Sequence, residues 1–126
     1  PVAVVNNLGG LVVHSAAKDV RINPHAAIEG VLDNSFRRLA SSESRTNLGG
    51  DEWVNEWPNP SAWDFVAVGK GHDVQYWARF IKTLYEVDPE MFVIIEHEDT
   101  SMGRVEGLQY AASTLFEAAT IAGINI

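Results

Sequence analysis

The sequence predicts an α/β fold built from parallel strand–helix units. Short runs of apolar and β-branched residues alternate with longer segments that carry apolar residues at helical spacing. This alternation is typical of parallel sheets that helices cover. Polar and charged residues follow each predicted strand, at residues 14–19, 70–73 and 96–99. Because binding sites of parallel α/β folds form at the carboxyl ends of strands, these clusters are the candidate functional regions.

The first half of the chain contains one clear strand and a long irregular stretch. In chain order it is predicted to contain a helix end over residues 1–8, a buried strand over 11–16, a polar loop over 18–24, a short helix over 26–32 and an irregular loop over 33–62. Three of the four tryptophans lie in or beside that last loop. A loop of this length with aromatic anchors favours a binding or interface role.

The second half has stronger signals. It is predicted to contain a strand over residues 64–68, a helix from Asp73 to about Tyr85, a strand over 91–95 and a helix over about 103–122. Asp73 precedes apolar residues at helical spacing and is the predicted N-cap. With 126 residues, the chain is long enough for one compact domain and too short for two, so residues 1–126 are predicted to form a single domain.

Composition excludes several classes of function. The net charge of −8 and the pI of about 4.8 argue against binding to nucleic acid, since phosphate backbones attract basic proteins. No apolar run approaches the roughly 20 residues that cross a membrane, so no membrane partner is expected. The chain has no cysteine, which excludes disulfides and thiolate metal sites and fits a reducing compartment. We therefore expect a cytoplasmic protein.

Four short motifs carry a resemblance to a known family. They are HSAAKD at residues 14–19, VGKGH at 68–72, IEHED at 95–99 and VEGL at 105–108. In this order and spacing they resemble the last three strand–helix units of the xylose isomerase-like TIM barrels. This sugar phosphate isomerase/epimerase group also includes AP endonuclease-type barrels. The resemblance spans residues 11–119 and implies a partial (β/α)8 barrel with about three parallel strands and flanking helices.

The resemblance also implies a metal site. Such enzymes hold a divalent metal, often Mn2+, which polarises a sugar carbonyl and hydroxyl while carboxylates move a proton. Glu96 matches the ligand on the eighth strand and is the first candidate for a metal and catalytic residue. Where relatives read His-x-His-Ala-Lys-Asp, Ala16 stands in place of the second, ligating His. His14 matches the first His and is the second candidate for a metal ligand. The remaining ligands would come from earlier strands, so another chain or a missing N-terminal half would have to complete the site.

Other polar residues near the strand ends have a functional and a structural interpretation. Glu96 binds a metal or forms an ion pair with Lys18 or His14. Lys18, the second catalytic candidate, and Asp19 either hold a sugar hydroxyl or phosphate, or form an ion pair at the strand end. His72 faces the binding edge or the solvent, and Glu98 shares the Glu96 face because residues two apart on a strand point the same way.

The Gly-Lys-Gly segment at residues 69–71 lacks the spacing of a P-loop. We interpret its glycines as allowing a sharp turn between strand and helix. The predicted ligand contacts are therefore made by side chains, namely those of Asp19, His72 and Glu98.

Two functions of different class remain open. In the first, the chain is part of a metal-dependent sugar isomerase or epimerase that acts only when another chain or a missing N-terminal half completes it. In the second, it is a non-catalytic module that associates with itself. Three strands taken from a closed barrel would leave unpaired edges and an uncovered apolar face, which predicts a homo-oligomer.

Overall fold

A computed structural model describes residues 1–30, 43, 46–49, 52–54 and 60–125 of the chain. The chain divides into two compact units, one made of Pro1–Arg21 and Phe65–Ile126 and the other of Ile22–Asp64. In chain order the elements are α1 (Val2–Leu8), a 3₁₀ turn (Gly9–Leu11), β1 (His14–Ala17), β2 (Asp19–Ile22), α2 (Ala26–Glu29), β3 (Thr46–Gly49), β4 (Glu52–Val54), β5 (Trp63–Val66), α3 (Val74–Val87), β6 (Phe92–Ile95) and α4 (Arg104–Ile121). None of the helices among these residues is long and apolar enough to span a bilayer.

The strands pair two by two. β1 and β6 are parallel, with His14 opposite Phe92 and Ala17 opposite Ile95. β3 and β4 are antiparallel, and β2 pairs with β5. The prediction of a partial (β/α)8 barrel with about three parallel strands is therefore wrong for the described part of the chain. The strand predicted over residues 64–68 does form, as β5, but it pairs with β2 and does not lie beside β1 and β6.

The strand β2 is the local reason for this difference. Residues 18–24 were expected to leave the sheet as a polar loop, yet Asp19–Ile22 is extended and pairs with β5. Apolar Val20 and Ile22 alternate with charged residues there, and this period of two is compatible with a strand. The chain therefore passes from β1 into a second strand after the single residue Lys18.

Helices α3 and α4 pack together and supply most of the core of the first unit. Trp77, Phe80 and Leu84 of α3 are buried, as the helical spacing predicts. On α4 the buried residues of this core are the small Ala111 and Ala118, which let the two helices approach closely. The predicted N-cap of α3 is confirmed, because the Asp73 Oδ1 atom accepts a 2.8 Å hydrogen bond from the Tyr76 N–H.

The β1–β6 pair has one packed face and one open face. Ala17 is fully buried, and Val93 and Ile95 pack against the core. Successive strand residues point to opposite faces, so Phe92 and Ile94 point away from the core. Phe92 is 79% exposed and Ile94 51% exposed, so the second face is apolar and open among the described residues.

In the second unit, Asn23 connects two stretches of chain. Its side-chain amide donates to the Ser61 carbonyl and to Asp64 Oδ2, both at 2.9 Å, and its backbone N–H donates to Ala62. Most of the predicted irregular loop, residues 33–62, lies outside the described residues, although the β3–β4 hairpin falls within it. The binding role of that loop and the single-domain organisation stay predictions.

Replacing Leu84 tests the α3–α4 core. Leu84 is 1% exposed, so Leu84→Ala should lower the free energy of unfolding by about 3 kcal/mol, from lost burial and the cavity left behind. Urea denaturation followed by tryptophan fluorescence measures the change. Lys82→Ala, at an exposed position of the same helix, is the control and should change it by less than about 0.5 kcal/mol. Equal effects of the two substitutions would contradict this description of the core.

Candidate functional site

The parallel pairing of β1 and β6 brings three charged side chains to one edge. The Glu96 N–H donates to the Ala17 carbonyl at 3.0 Å, so the pairing continues one residue beyond the end of β6. Lys18 Nζ lies 2.8 Å from Glu98 Oε1 and 3.4 Å from Glu96 Oε2. The ion-pair interpretation of Lys18 with Glu96 is thereby confirmed, and Glu98 shares the same cation, in keeping with its predicted position on the Glu96 face.

Lys18 is a permanent cation in this cluster. Burial lowers the pKa of its ammonium group, but the hydrogen bonds and negative charges of Glu98 and Glu96 outweigh burial and raise the pKa above its usual value. The Phe65 ring lies 4.0 Å from Nζ and adds a cation–π contact. The side chains of Glu96 and Glu98 are 45% and 49% exposed. Lys18 therefore stays protonated between two carboxylates, and both carboxylates remain accessible to a ligand.

Asp19, the next residue, is buried and binds the loop that follows β5. Its Oδ2 atom accepts hydrogen bonds from the backbone N–H groups of Gly69, Gly71 and His72 at 2.9–3.1 Å. Its Oδ1 atom lies 2.6 Å from His72 Nδ1. With 1% exposure, Asp19 lies behind the loop, where it positions other groups.

The carboxyl group of Asp19 stays ionised despite its burial. Burial raises its pKa, but hydrogen bonds from the His72 side chain and from the backbone of His72, Gly69 and Gly71 outweigh burial and hold the pKa below its usual value. The backbone N–H groups of this loop therefore already surround an anion. They are occupied by Asp19, which supports the interpretation that the glycines serve the turn and not a phosphate.

The two glycines of this loop are required for different structural reasons. Gly69 has a φ of +96°, a conformation that side chains disfavour. Gly71 lies so close to the Val20 carbonyl and to Asp19 Oδ1 that a Cβ atom would collide with both. The close approach of loop and strand therefore depends on a missing side chain at residue 71.

His72 is held on two sides. Its Nδ1 atom contacts Asp19, and its ring stacks on Tyr76 with the centroids 4.1 Å apart. Its side chain is 40% exposed, so one part of the ring reaches the solvent. The Asp19 contact therefore fixes the ring, and a role of His72 at the binding edge stays a prediction.

Asp99 and His97 were not singled out from the sequence. Asp99 Oδ2 accepts the Ala67 N–H at 2.9 Å, and Oδ1 accepts the N–H and hydroxyl of Ser101. Burial raises the pKa of Asp99, but these hydrogen bonds, together with the charge of His97, lower it overall. The Asp-x-Ser spacing is a turn signal that could have identified the Ser101 contact.

The His97 ring packs against Gly107 of α4, where a Cβ atom would overlap it. Both ring nitrogens are buried and have no hydrogen-bond partner within the described part of the chain. A glycine inside a helix was the one sequence signal of this close packing.

The structure does not bring the predicted metal residues His14 and Glu96 together. His14 is exposed and lies opposite Phe92, four positions before the partner of Glu96, a separation of about 13 Å at the usual strand rise. Ala16 lies between them on the same face. The described residues contain no group of three or more His, Asp or Glu side chains arranged to hold a metal ion. A metal at this edge stays a prediction.

A separate apolar cleft of about 270 Å³ lies between α3, α4 and β6. Its lining includes Leu84, Val93 and Leu115, and none of the predicted site residues contributes to it. We therefore assign the candidate site to the strand edge, where the charged side chains lie.

The chain is similar in sequence to a curated bacterial protein. The uncharacterized protein YfiH of Bacillus subtilis (strain 168) is 28% identical to this chain over 116 residues. The match covers 91% of this chain but 31% of that relative. The chain thus spans less than a third of the length of the curated relative it matches. No family model matches the chain.

Replacing Gly71 tests the Asp19 loop. In Gly71→Ala the new Cβ would displace the loop from Val20 and weaken the hydrogen bonds to Asp19, so we expect a loss of about 1–3 kcal/mol in unfolding free energy. Gly10→Ala is the control, because a Cβ atom there meets nothing within 4 Å. Urea denaturation measures the free energy of unfolding of both variants. If Gly71→Ala were no less stable than Gly10→Ala, the described packing would be contradicted.

Proposed function

We propose that this chain supplies part of the ligand site of a metal-dependent sugar isomerase or epimerase, and that the isolated chain is not catalytically competent. The observation that carries this proposal is the cluster of Lys18, Glu96 and Glu98 at the carboxyl edge of a parallel strand pair. Such edges hold the binding sites of parallel α/β proteins. The expected ligand is a small sugar, and the resemblance of the four motifs to sugar isomerases points the same way.

The chemistry of the cluster fits a polyhydroxylated ligand. A sugar hydroxyl donates one hydrogen bond and accepts others, so it can bind a carboxylate and an ammonium group together. Glu96 and Glu98 supply accepting oxygens, and the Lys18 ammonium donates and stabilises negative charge that develops on a sugar oxygen. Their half-exposed side chains can reach such a ligand.

Glu96 also fits one part of a metal site. Carboxylate oxygens suit Mn2+ and Mg2+, and the Lys18 contact uses the Oε2 atom of Glu96. The described residues offer two carboxylates here. Further ligands would have to come from other residues of the same protein, from a second copy or from a complementing chain. A bound divalent metal would polarise the sugar carbonyl.

Metal-dependent stabilisation tests this proposal. Millimolar Mn2+ with D-xylose should raise the Tm of the chain, because a ligand at ten times its Kd stabilises the folded state by about 1.4 kcal/mol. Glu96→Gln should abolish the rise, while Glu117→Gln, an exposed glutamate on α4, should retain it. Differential scanning fluorimetry measures both. No rise with Mn2+, Mg2+, Co2+ or Zn2+, or an unchanged rise in Glu96→Gln, would refute a metal site that the chain forms alone or with a second copy.

A second candidate function is a non-catalytic module that associates with itself. The open face of the β1–β6 pair favours it, because Phe92 and Ile94 expose apolar surface beside Ala16. Burying such residues against a second copy would contribute about 25 cal/mol per Å² of apolar area removed from water. The two candidates are compatible if the second copy also completes the sugar site.

Phe92 provides the test of self-association. We expect the chain to be a homo-oligomer in light scattering, and Phe92→Lys to shift it towards the monomer, since a charge cannot be buried at an apolar interface without a partner. Val105→Lys, at a position on α4 that is 69% exposed, is the matched control and should leave the mass unchanged. A monodisperse monomer for the unsubstituted chain would exclude this second candidate.

The acidic charge of the chain supports the remaining expectations about partners. A net charge of −8 disfavours nucleic acid as a partner. We also propose a cytoplasmic location, which the cysteine-free sequence fits.

A further inference from the structure

The contact between Asp19 and His72 determines where the ring carries its proton. An ionised carboxylate can only accept hydrogen bonds. Because Asp19 Oδ1 lies 2.6 Å from Nδ1, that nitrogen must carry the hydrogen and donate it. In the neutral ring the other nitrogen, Nε2, then has a free lone pair and is an acceptor.

The ring is held in place but not covered. Asp19 itself is anchored by three backbone N–H groups of the same loop, and the ring also stacks on Tyr76. None of the hydrogen bonds among the described residues uses Nε2, and the side chain is 40% exposed. A fixed acceptor of this kind loses little conformational entropy when a ligand binds.

The surroundings decide which ligand suits Nε2. An anion is disfavoured, because a lone pair repels it and the nearby N–H groups already bind the Asp19 carboxylate. A metal ion at Nε2 would need further ligands from outside the described residues, which hold no group of three metal-binding side chains, whereas a single hydrogen bond needs no second residue. A neutral hydrogen-bond donor remains, and a hydroxyl group is the common one among small polar molecules.

We propose that His72 accepts a hydrogen bond from a sugar hydroxyl through Nε2, and that Asp19 is the positioning residue that fixes the ring's tautomer. This inference rests on the proposed function for the class of ligand. It adds a contact from the β5–α3 loop that the Lys18, Glu96 and Glu98 cluster does not provide. The tautomer itself follows from the Asp19 contact alone and can be measured without ligand.

Long-range ¹H–¹⁵N NMR spectra at about pH 8.5, above the ordinary titration range of imidazole, report the tautomer directly. We expect His72 to carry its hydrogen on Nδ1, with its signals assigned by their loss in His72→Phe. In Asp19→Asn the amide group can donate to Nδ1, and the hydrogen should move to Nε2. Tyr76→Leu is the control, because it removes the stacking and leaves Asp19 in place. A hydrogen on Nε2 in the unsubstituted chain overturns the inference, even if Asp19→Asn does not fold.

NMR titration with D-xylose in the presence of Mg2+, a diamagnetic divalent ion, tests the ligand contact. The Nε2 signal should shift and saturate, and His72→Phe, which keeps a ring against Tyr76, should bind about 5–10-fold more weakly through loss of one hydrogen bond. If D-xylose perturbs Lys18, Glu96 and Glu98 but not His72, this inference fails while the proposed function stands. If no signal of the chain responds, both are overturned.

Discussion

The buried carboxylate of Asp19 is the interaction on which the geometry around the candidate site depends. Placing an uncompensated charge in a protein interior costs several kcal/mol, so it persists only where hydrogen bonds replace water. Here three backbone N–H groups and the His72 ring supply them. The same contacts shape the loop before α3. The small residue at position 71 and the orientation of His72 are thus consequences of one buried charge.

Asp99 holds the beginning of the same stretch of chain. It accepts the N–H of Ala67, directly after β5, while Asp19 accepts the N–H groups from Gly69 onward. Two carboxylates from separate parts of the sequence therefore fix the path between β5 and α3. Both have pKa values held below the usual range, after their hydrogen bonds outweigh burial. Each of these two carboxylates therefore adds to the free energy of unfolding. This contribution is complete above the ordinary carboxyl pKa of about 3.9 and is lost as the pH falls below that value.

Helices and their caps were predictable from the sequence because their signals are local. The spacing of Trp77 and Leu84 and the position of Asp73 determine α3 without reference to the rest of the chain. The pairing of the strands was not predictable in this way. The local sequence of β5 does not specify its partner strand, and only tertiary contacts select β2. The contact of Asp19 with His72 spans 53 positions and has no local signature.

The charge states of two neighbours limit what the strand edge can do. Lys18 remains protonated and Asp19 ionised, since each has a pKa shifted further from neutrality. Neither is suited to moving a proton, so proton transfer would fall to Glu96 or Glu98. Yet those carboxylates are nearly half exposed. Sugar isomerisation needs a site from which water is excluded. Under the proposed function, an added surface would therefore have to cover the carboxyl edge beside Glu96 and Glu98 before this edge could act.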